Sequence, residues 1–260
     1  MTSLVHLAVR DGVATITLDS PANRNALSAQ LRRELAAHLD AAIADAAARV
    51  VVIGHTGRVF CSGMDLKETR LPAGEAHHRG SGAGDVTEFP GILERIWTSP
   101  KPVVARVAGP ARAGGVGLVA ACDIAVAAHE ATFAFSEVRI GVVPAIISVT
   151  VLPRLLPRAA HELFLTGETF DATRAVAVGL INSAVPADGL DAEVARYGEM
   201  LRLGAPGAVA ATKELLQAGS LTERFAAMGA LSAGFFAGDE GQEGMAAFAE
   251  KRPPAWTVTA

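Results

Sequence analysis

The chain has 260 residues, half of them hydrophobic, with a formal net charge of −4 and two cysteines, Cys61 and Cys122. That size suits one large domain or one domain with an appendage. The charge gives no sign of general nucleic-acid attraction, and two cysteines make no disulfide framework, so a reducing, cytoplasmic setting is expected.

The first residues hold no basic segment followed by an apolar one, so no signal peptide is expected. No run reaches the roughly 18 to 20 apolar residues of a membrane span. Leu4 to Arg10 and Val13 to Asp19 read as two strands, and Asp11-Gly12 between them is a strong hairpin signal. Ser20 to Asn23 is a turn. Ser28 is placed to cap a helix in which Leu31, Leu35, Leu39 and Ile43 recur at helical spacing, with an end expected near Ala48. Val50 to His55 is a nearly continuous apolar strand of the kind buried on both faces. Gly57 to Leu66 reads as a strand passing into a glycine turn that can start a helix. Leu71 to Asp85, rich in Gly, Ala and His, reads as a loop able to cover a ligand. Its adjacent His77 and His78 lack metal-ligand spacing and read as solvated loop residues.

Phe89 to Trp97 is an expected helix and Val103 to Val107 an expected strand. After a glycine group, a short helix is expected over Leu118 to Ala121, then strands at Asp123 to Ala128 and Thr132 to Phe135. Pro144 opens a helical stretch expected to reach Leu156, and His161 to Thr166 is helical. Asp171 caps a helix from Ala172 to Val178, which Gly179 ends. A strand at Ile181 to Val185 precedes helices at Leu190 to Leu203, Pro206 to Gln217, Leu221 to Phe236 and Gly241 to Glu250. The pattern is an α/β core over residues 1–190 with a C-terminal helical region over 191–260.

The segment RVAGPARAGGVGLVAACD, Arg106 to Asp123, is the centre of this pattern. Its glycines let the backbone turn sharply and come close to a ligand. A helix opening just after them leaves free N–H groups beside the positive end of its dipole, a place for developing negative charge. A packing turn carries the same signature. Gly115 to Ala120 matches G-x-G-x-x-A, but only about five residues separate Gly117 from the next strand, too few for the helix of a dinucleotide-binding unit. No P-loop, G-x-S-x-G or H-E-x-x-H occurs. A second glycine turn lies in FCSGMDLK, Phe60 to Lys67. N–H groups from the two loops can converge on one oxygen as an oxyanion hole, or the two can be buried turns.

PANRNALS, VFCSGMDLK, VAGPARAGGVGLVAACDIAVA and SEVRIGVVPA, in this order, resemble the crotonase superfamily, also called the enoyl-CoA hydratase/isomerase family. The likeness extends to the closing GMAAFAEKR. The resemblance implies a spiral of ββα units with C-terminal helices that build homotrimers, often paired into hexamers. It implies an acyl-CoA thioester as ligand and no metal or redox cofactor. It assigns two oxyanion donors to the N–H groups of Met64 and Gly114. It assigns CoA contacts to Arg24, Ala26, Cys61, Ser62, Gly63, Asp65 and Leu66, with Phe248 and Lys251 meeting the CoA of the same or a neighbouring subunit. Arg24 and Lys251 suit phosphates, or are ordinary surface cations.

One departure from the family pattern governs the chemistry. Family hydratases carry two glutamates; the second falls on Glu137, but the first falls on Gly117, which has no side chain to move a proton. Arg112 and Ala113 also stand where apolar and glycine residues are usual, and the sequence leaves open whether Arg112 faces ligand or solvent. Glu137 is therefore the one candidate general acid/base, or else a surface or salt-bridged carboxylate. Phe135, Val138 and Ile140 beside it would raise its pKa toward neutrality. A single carboxylate can add water to a 2-enoyl-CoA, or move a proton between the α and γ carbons as an isomerase does. The likeness of GGVGLVAACDIA and SEVRIGVVPAIIS to branches similar to methylglutaconyl-CoA hydratases favours hydration. A third expectation is an acyl-CoA-binding protein with little chemistry. Acyl-chain selection is expected from the 71–85 loop and from Val142 to Ser148.

Overall fold

The computed structural model describes residues 2–69, 88–216 and 221–256. Its first hairpin pairs β1 (Val5–Arg10) with β2 (Val13–Leu18), antiparallel, with Val5 opposite Leu18. Asp11 and Gly12 both take positive φ, 48° and 77°, as a two-residue turn that follows strand twist requires. Ser28 caps α1 (Ala29–Ala44), its hydroxyl accepting from the Leu31 N–H. The helix stops at Ala44 rather than near Ala48: Asp45 turns to extended backbone and its carboxylate takes the Ala47 N–H.

Next come β3 (Val50–His55), α2 (Leu66–Thr69), α3 (Glu88–Thr98), β4 (Val103–Val107), β5 (Ala111–Arg112), α4 (Gly114–Ala121), β6 (Ile124–Ala128) and β7 (Thr132–Ala134). A 3-10 turn over Ser136–Ile140 leads to α5 (Ala145–Val151), α6 (Pro157–Thr166), β8 (Phe170–Asp171), α7 (Ala172–Ala177) and β9 (Ser183–Val185). The chain closes with α8 (Leu190–Leu203), α9 (Pro206–Leu215), α10 (Leu221–Ala237) and α11 (Asp239–Glu250).

A six-stranded sheet runs β1-β2-β3-β4-β6-β9, parallel after the first pair. Every residue of β3 is buried, as its unbroken apolar run predicts for a strand covered on both faces. On one face Val51, Ile53, Val103 and Ala105 join the main core with Leu35 of α1 and Ile96 of α3. On the other, Val50, Val52, Val104 and Val126 pack against Leu190 and Val194 of α8. A smaller sheet has the order β5-β7-β8. Its outer strands hold two residues each, too few for an alternation to show in sequence.

Other boundaries differ from expectation too, and the strand expected ahead of the Gly63 turn is reduced to a single bridge between Cys61 and Ala111. Helix α4 begins inside the glycine group, at Gly114, not at Leu118. Helix α5 stops at Val151, short of Leu156, because Pro153 has no N–H for the Val149 carbonyl, which accepts from Arg224 Nη2 at 3.4 Å instead. Helix α6 starts at Pro157 rather than at His161, with the proline in the first turn, where its missing N–H is no loss. The 71–85 loop, with His77 and His78, lies outside the described residues.

The C-terminal helices are fastened over the core. Buried Lys213 of α9 donates to Ile96 O at 2.9 Å and to Asp123 Oδ2 at 2.7 Å. Helix α10 packs along α5, and α11 packs on the Ser136–Ile140 turn. Gly244 makes that second contact possible, since a Cβ there would come within 2.3 Å of Ile140 O. Among the described residues, no helix is long and apolar enough to cross a membrane.

Candidate active site

Two glycine turns meet at the edge of the smaller sheet. The Cys61–Met64 loop is held between two others: Ser62 N donates to Arg24 O at 3.2 Å, Leu27 N to Gly63 O at 2.8 Å, and Arg112 N to Cys61 O at 2.9 Å. Gly115 packs so closely that a Cβ would lie 2.5 Å from Cys61 O. Gly63 has φ +88°, and a Cβ on it would lie 3.5 Å from the Gly114 nitrogen. The Gly114 N–H opens α4 and so has no intrahelical acceptor. Neither it nor the Met64 N–H has an acceptor among the described residues. Both residues line a cavity of about 390 Å³.

Between the turns stands Ala113, with φ 48° and ψ −119°, a conformation that suits glycine. Such strain costs about 1–3 kcal/mol and collects at functional sites. Ala113→Gly is expected to stabilise the fold by about 1 kcal/mol, net of the entropy glycine adds to the unfolded chain, as a higher denaturant midpoint will show.

Glu137 enters the same cavity from the Ser136–Ile140 turn. The residue is partly open to the cavity, but its Oε2 atom is shut off from solvent and has no hydrogen-bond partner among the described residues. Burial opposes the charged form and pushes the carboxyl up to about 7, against a small lowering by a backbone hydrogen bond. Glu137 is thus neither a surface nor a salt-bridged group. Most of the surrounding wall is apolar, built from Phe89, Ile140, Val142, Ile146, Ile147 and Phe236.

Gly117 does not face this cavity directly. A Cβ on it would lie 2.5 Å from Ile147 Cγ2 and 3.1 Å from Ile147 Cβ. Ile147 of α5 lines the cavity and fills the space into which a side chain at position 117 would grow. Helix α4 is followed at once by β6, which leaves no full-length helix of the dinucleotide-binding kind.

The expected site residues divide into two groups. Met64, Gly114, Glu137, Ser62, Leu66 and Phe248 line the cavity. Arg24, Ala26, Cys61, Gly63, Asp65 and Lys251 do not. Cys61 is fully buried, its thiol pushed up to about 12 by burial. Asp65 accepts from Lys67 N at 3.0 Å, and Arg24 takes left-handed backbone at φ 59°. The tail cation on the cavity wall is Arg252, beside Lys251 in sequence and tied to Glu243 and Glu250. Ile147 falls in the Val142 to Ser148 stretch expected to select the acyl chain, whereas the sequence does not point to Ser232, Phe236 or Arg252. The spacing of Ser232 and Phe236 on one helix face was their only signal.

Arg112 turns away from the cavity. Its Nη1 donates to Thr132 O at 2.6 Å and Ala111 O at 3.0 Å, and its Nη2 to Thr132 Oγ1 at 2.8 Å. It staples β5 to β7 and is absent from the cavity wall. Arg112→Ala is expected to cost about 1–3 kcal/mol in unfolding experiments while leaving acyl-CoA affinity unchanged.

The sequence model of the enoyl-CoA hydratase/isomerase family matches residues 8–259. The chain belongs to that family. It is 37% identical over 249 residues to a Thermus thermophilus protein provisionally described as an enoyl-CoA hydratase, spanning 93% of this chain and 96% of the relative. It is 34% identical over 265 residues to the carnitinyl-CoA dehydratase of Proteus mirabilis, spanning 98% and 99%. The crystal structure of an enoyl-CoA hydratase from Mycobacterium avium matches with a TM-score of 0.85 at 42% identity, over 99% of this chain and all of that one (100%). The crotonase fold implied by the sequence resemblance, with its helical C-terminal region, is the fold observed.

Proposed function

We propose that this family member works on an acyl-CoA thioester through one carboxylate, and that it adds water to a 2-enoyl-CoA. The observation that carries the proposal is Glu137, a carboxyl of pKa about 7 whose Oε2 has no partner among the described residues, in an apolar cavity shared with Met64 and Gly114. Near neutral pH such a group is divided between its two forms. It can take a proton from water and return one to carbon.

The thioester oxygen would sit against the N–H groups of Met64 and Gly114. As water adds at the β carbon, the electron pair of the double bond moves onto that oxygen, where the two donors hold the enolate. Glu137 takes the water proton in this step. It then gives a proton to the α carbon as the enolate collapses, which leaves a 3-hydroxyacyl-CoA and a carboxylate ready for another turn. Ser62, Leu66 and Phe248 on the wall are proposed CoA contacts, with Arg24, Ala26, Cys61, Gly63 and Asp65 in the loops behind them and Lys251 in the tail. Exposed Leu231, Phe235 and Phe248 suit the subunit contacts of a trimer or of paired trimers.

Ile147 favours a second reading, isomerisation. With an isoleucine filling the room for a second carboxylate, a proton shift between the α and γ carbons needs only Glu137. Mass and absorbance measurements with crotonyl-CoA, 3-methylglutaconyl-CoA and a 3-enoyl-CoA separate the two. The expected result is a gain of one water that Glu137→Gln abolishes. Double-bond movement at constant mass would move the assignment to isomerase. Tight binding of all three without reaction would overturn the enzymatic reading in favour of an acyl-CoA-binding protein.

A further inference from the structure

Addition of water by a single carboxylate leaves one requirement unmet. Glu137 can take one hydrogen of the water, but the other hydrogen needs an acceptor if the oxygen lone pair is to point steadily at the β carbon. In this chain no carboxylate can supply it from position 117, where Ile147 closes the space. Most of the wall residues are apolar and accept nothing.

Helix α10 brings the missing group. Ser232 is only 6% exposed and lines the cavity, as does Phe236 one turn further along the same face. Its hydroxyl has no hydrogen-bond partner among the described residues, not even the carbonyl one turn back that a helical serine usually takes. A hydroxyl that borders the cavity and has no protein partner is free to take one inside it. Ser62 and Ser136 also reach the wall, but they are more exposed and lie on the turns that carry the other catalytic groups. Ser232 comes instead from the helix that packs along α5, the helix of Ile147.

We infer that Ser232 holds the reacting water, its Oγ accepting the hydrogen that Glu137 does not take. This rests on the hydration reading given above. The balance is that of the proposed reaction. One water O–H bond breaks toward Glu137, the C–O bond forms at the β carbon, and the hydrogen bonded to Ser232 remains as the hydroxyl of the product.

The test pairs two reactions of the intact protein. Hydration of crotonyl-CoA needs the held water. Exchange of the α hydrogens of butyryl-CoA in deuterium oxide needs only Glu137 and the two N–H donors. For Ser232→Ala, kcat for hydration is expected to fall about tenfold with little change in KM, the scale of one lost hydrogen bond. The exchange rate and melting temperature stay as in the wild type, and Ser232→Thr, which keeps the hydroxyl, recovers hydration. Unchanged hydration in Ser232→Ala would overturn the role of Ser232 alone. An equal loss of hydration and exchange would also overturn it, by showing a general disturbance of the cavity. A wild type that exchanges but adds no water would overturn hydration and with it the water-holding role. A wild type that does neither would overturn the one-carboxylate reading as a whole.

Discussion

Glu137→Gln is expected to lose turnover by about a thousandfold and to become more stable above neutral pH. Both effects come from the same burial. The folded-state pKa, about 7, lies above the ordinary 4.5 of a glutamate, so the native protein holds this proton where the unfolded chain has released it. The stability that Glu137 contributes is whole below about pH 4.5 and is lost progressively as pH rises to about 7. The separation of the two pKa values corresponds to about 3 kcal/mol, an upper estimate for a group partly open to a cavity. Glutamine keeps the shape and carries no charge to desolvate. Denaturant unfolding at pH 5 and pH 8 should therefore give nearly equal stabilities for the two proteins at the lower pH and an advantage for the glutamine variant at the higher. A wild-type stability flat across that range would place the carboxyl in water.

The second large effect belongs to the pair Gly117 and Ile147. Gly117→Glu alone forces a Cβ to 2.5 Å from Ile147 Cγ2 and pushes a charge into an apolar contact. It is expected to destabilise by about 3 kcal/mol or more. Ile147→Ala alone removes a side chain that is 2% exposed and costs about 2–5 kcal/mol through the cavity it leaves. Combined, the two changes exchange volume across one contact, and the double variant should be more stable than the sum of the single losses requires. It also returns a second carboxylate to the cavity, so its hydration rate should exceed that of Ile147→Ala. A double-mutant cycle in urea checks the coupling. Strictly additive losses would mean that Ile147 does not occupy the room of the missing side chain.

These positions show how far the sequence could be read. The Asp11-Gly12 hairpin, the Ser28 cap and the doubly buried β3 were legible because each depends on neighbours in the chain. Glu137 was legible through family motifs, and its raised pKa through the apolar residues beside it. Gly117 announced that a carboxylate was missing but not what replaced it, since Ile147 belongs to another helix. Ser232 was illegible for a similar reason: a serine in an apolar helix declares no direction until α10 is docked on α5. Arg112 sits beside the Gly114 turn in sequence, yet it is committed to Thr132. The two-residue strands β5 and β8 exist only through their pairing with β7.

The pH dependence of kcat/KM for hydration of crotonyl-CoA tests the one-carboxylate mechanism most directly. A single carboxyl acting first as base predicts one inflection near pH 7, with the rate rising to a plateau above it and the whole profile gone in Glu137→Gln. A bell with two ionisations, or an inflection that survives in Glu137→Gln, would show that another group moves the proton.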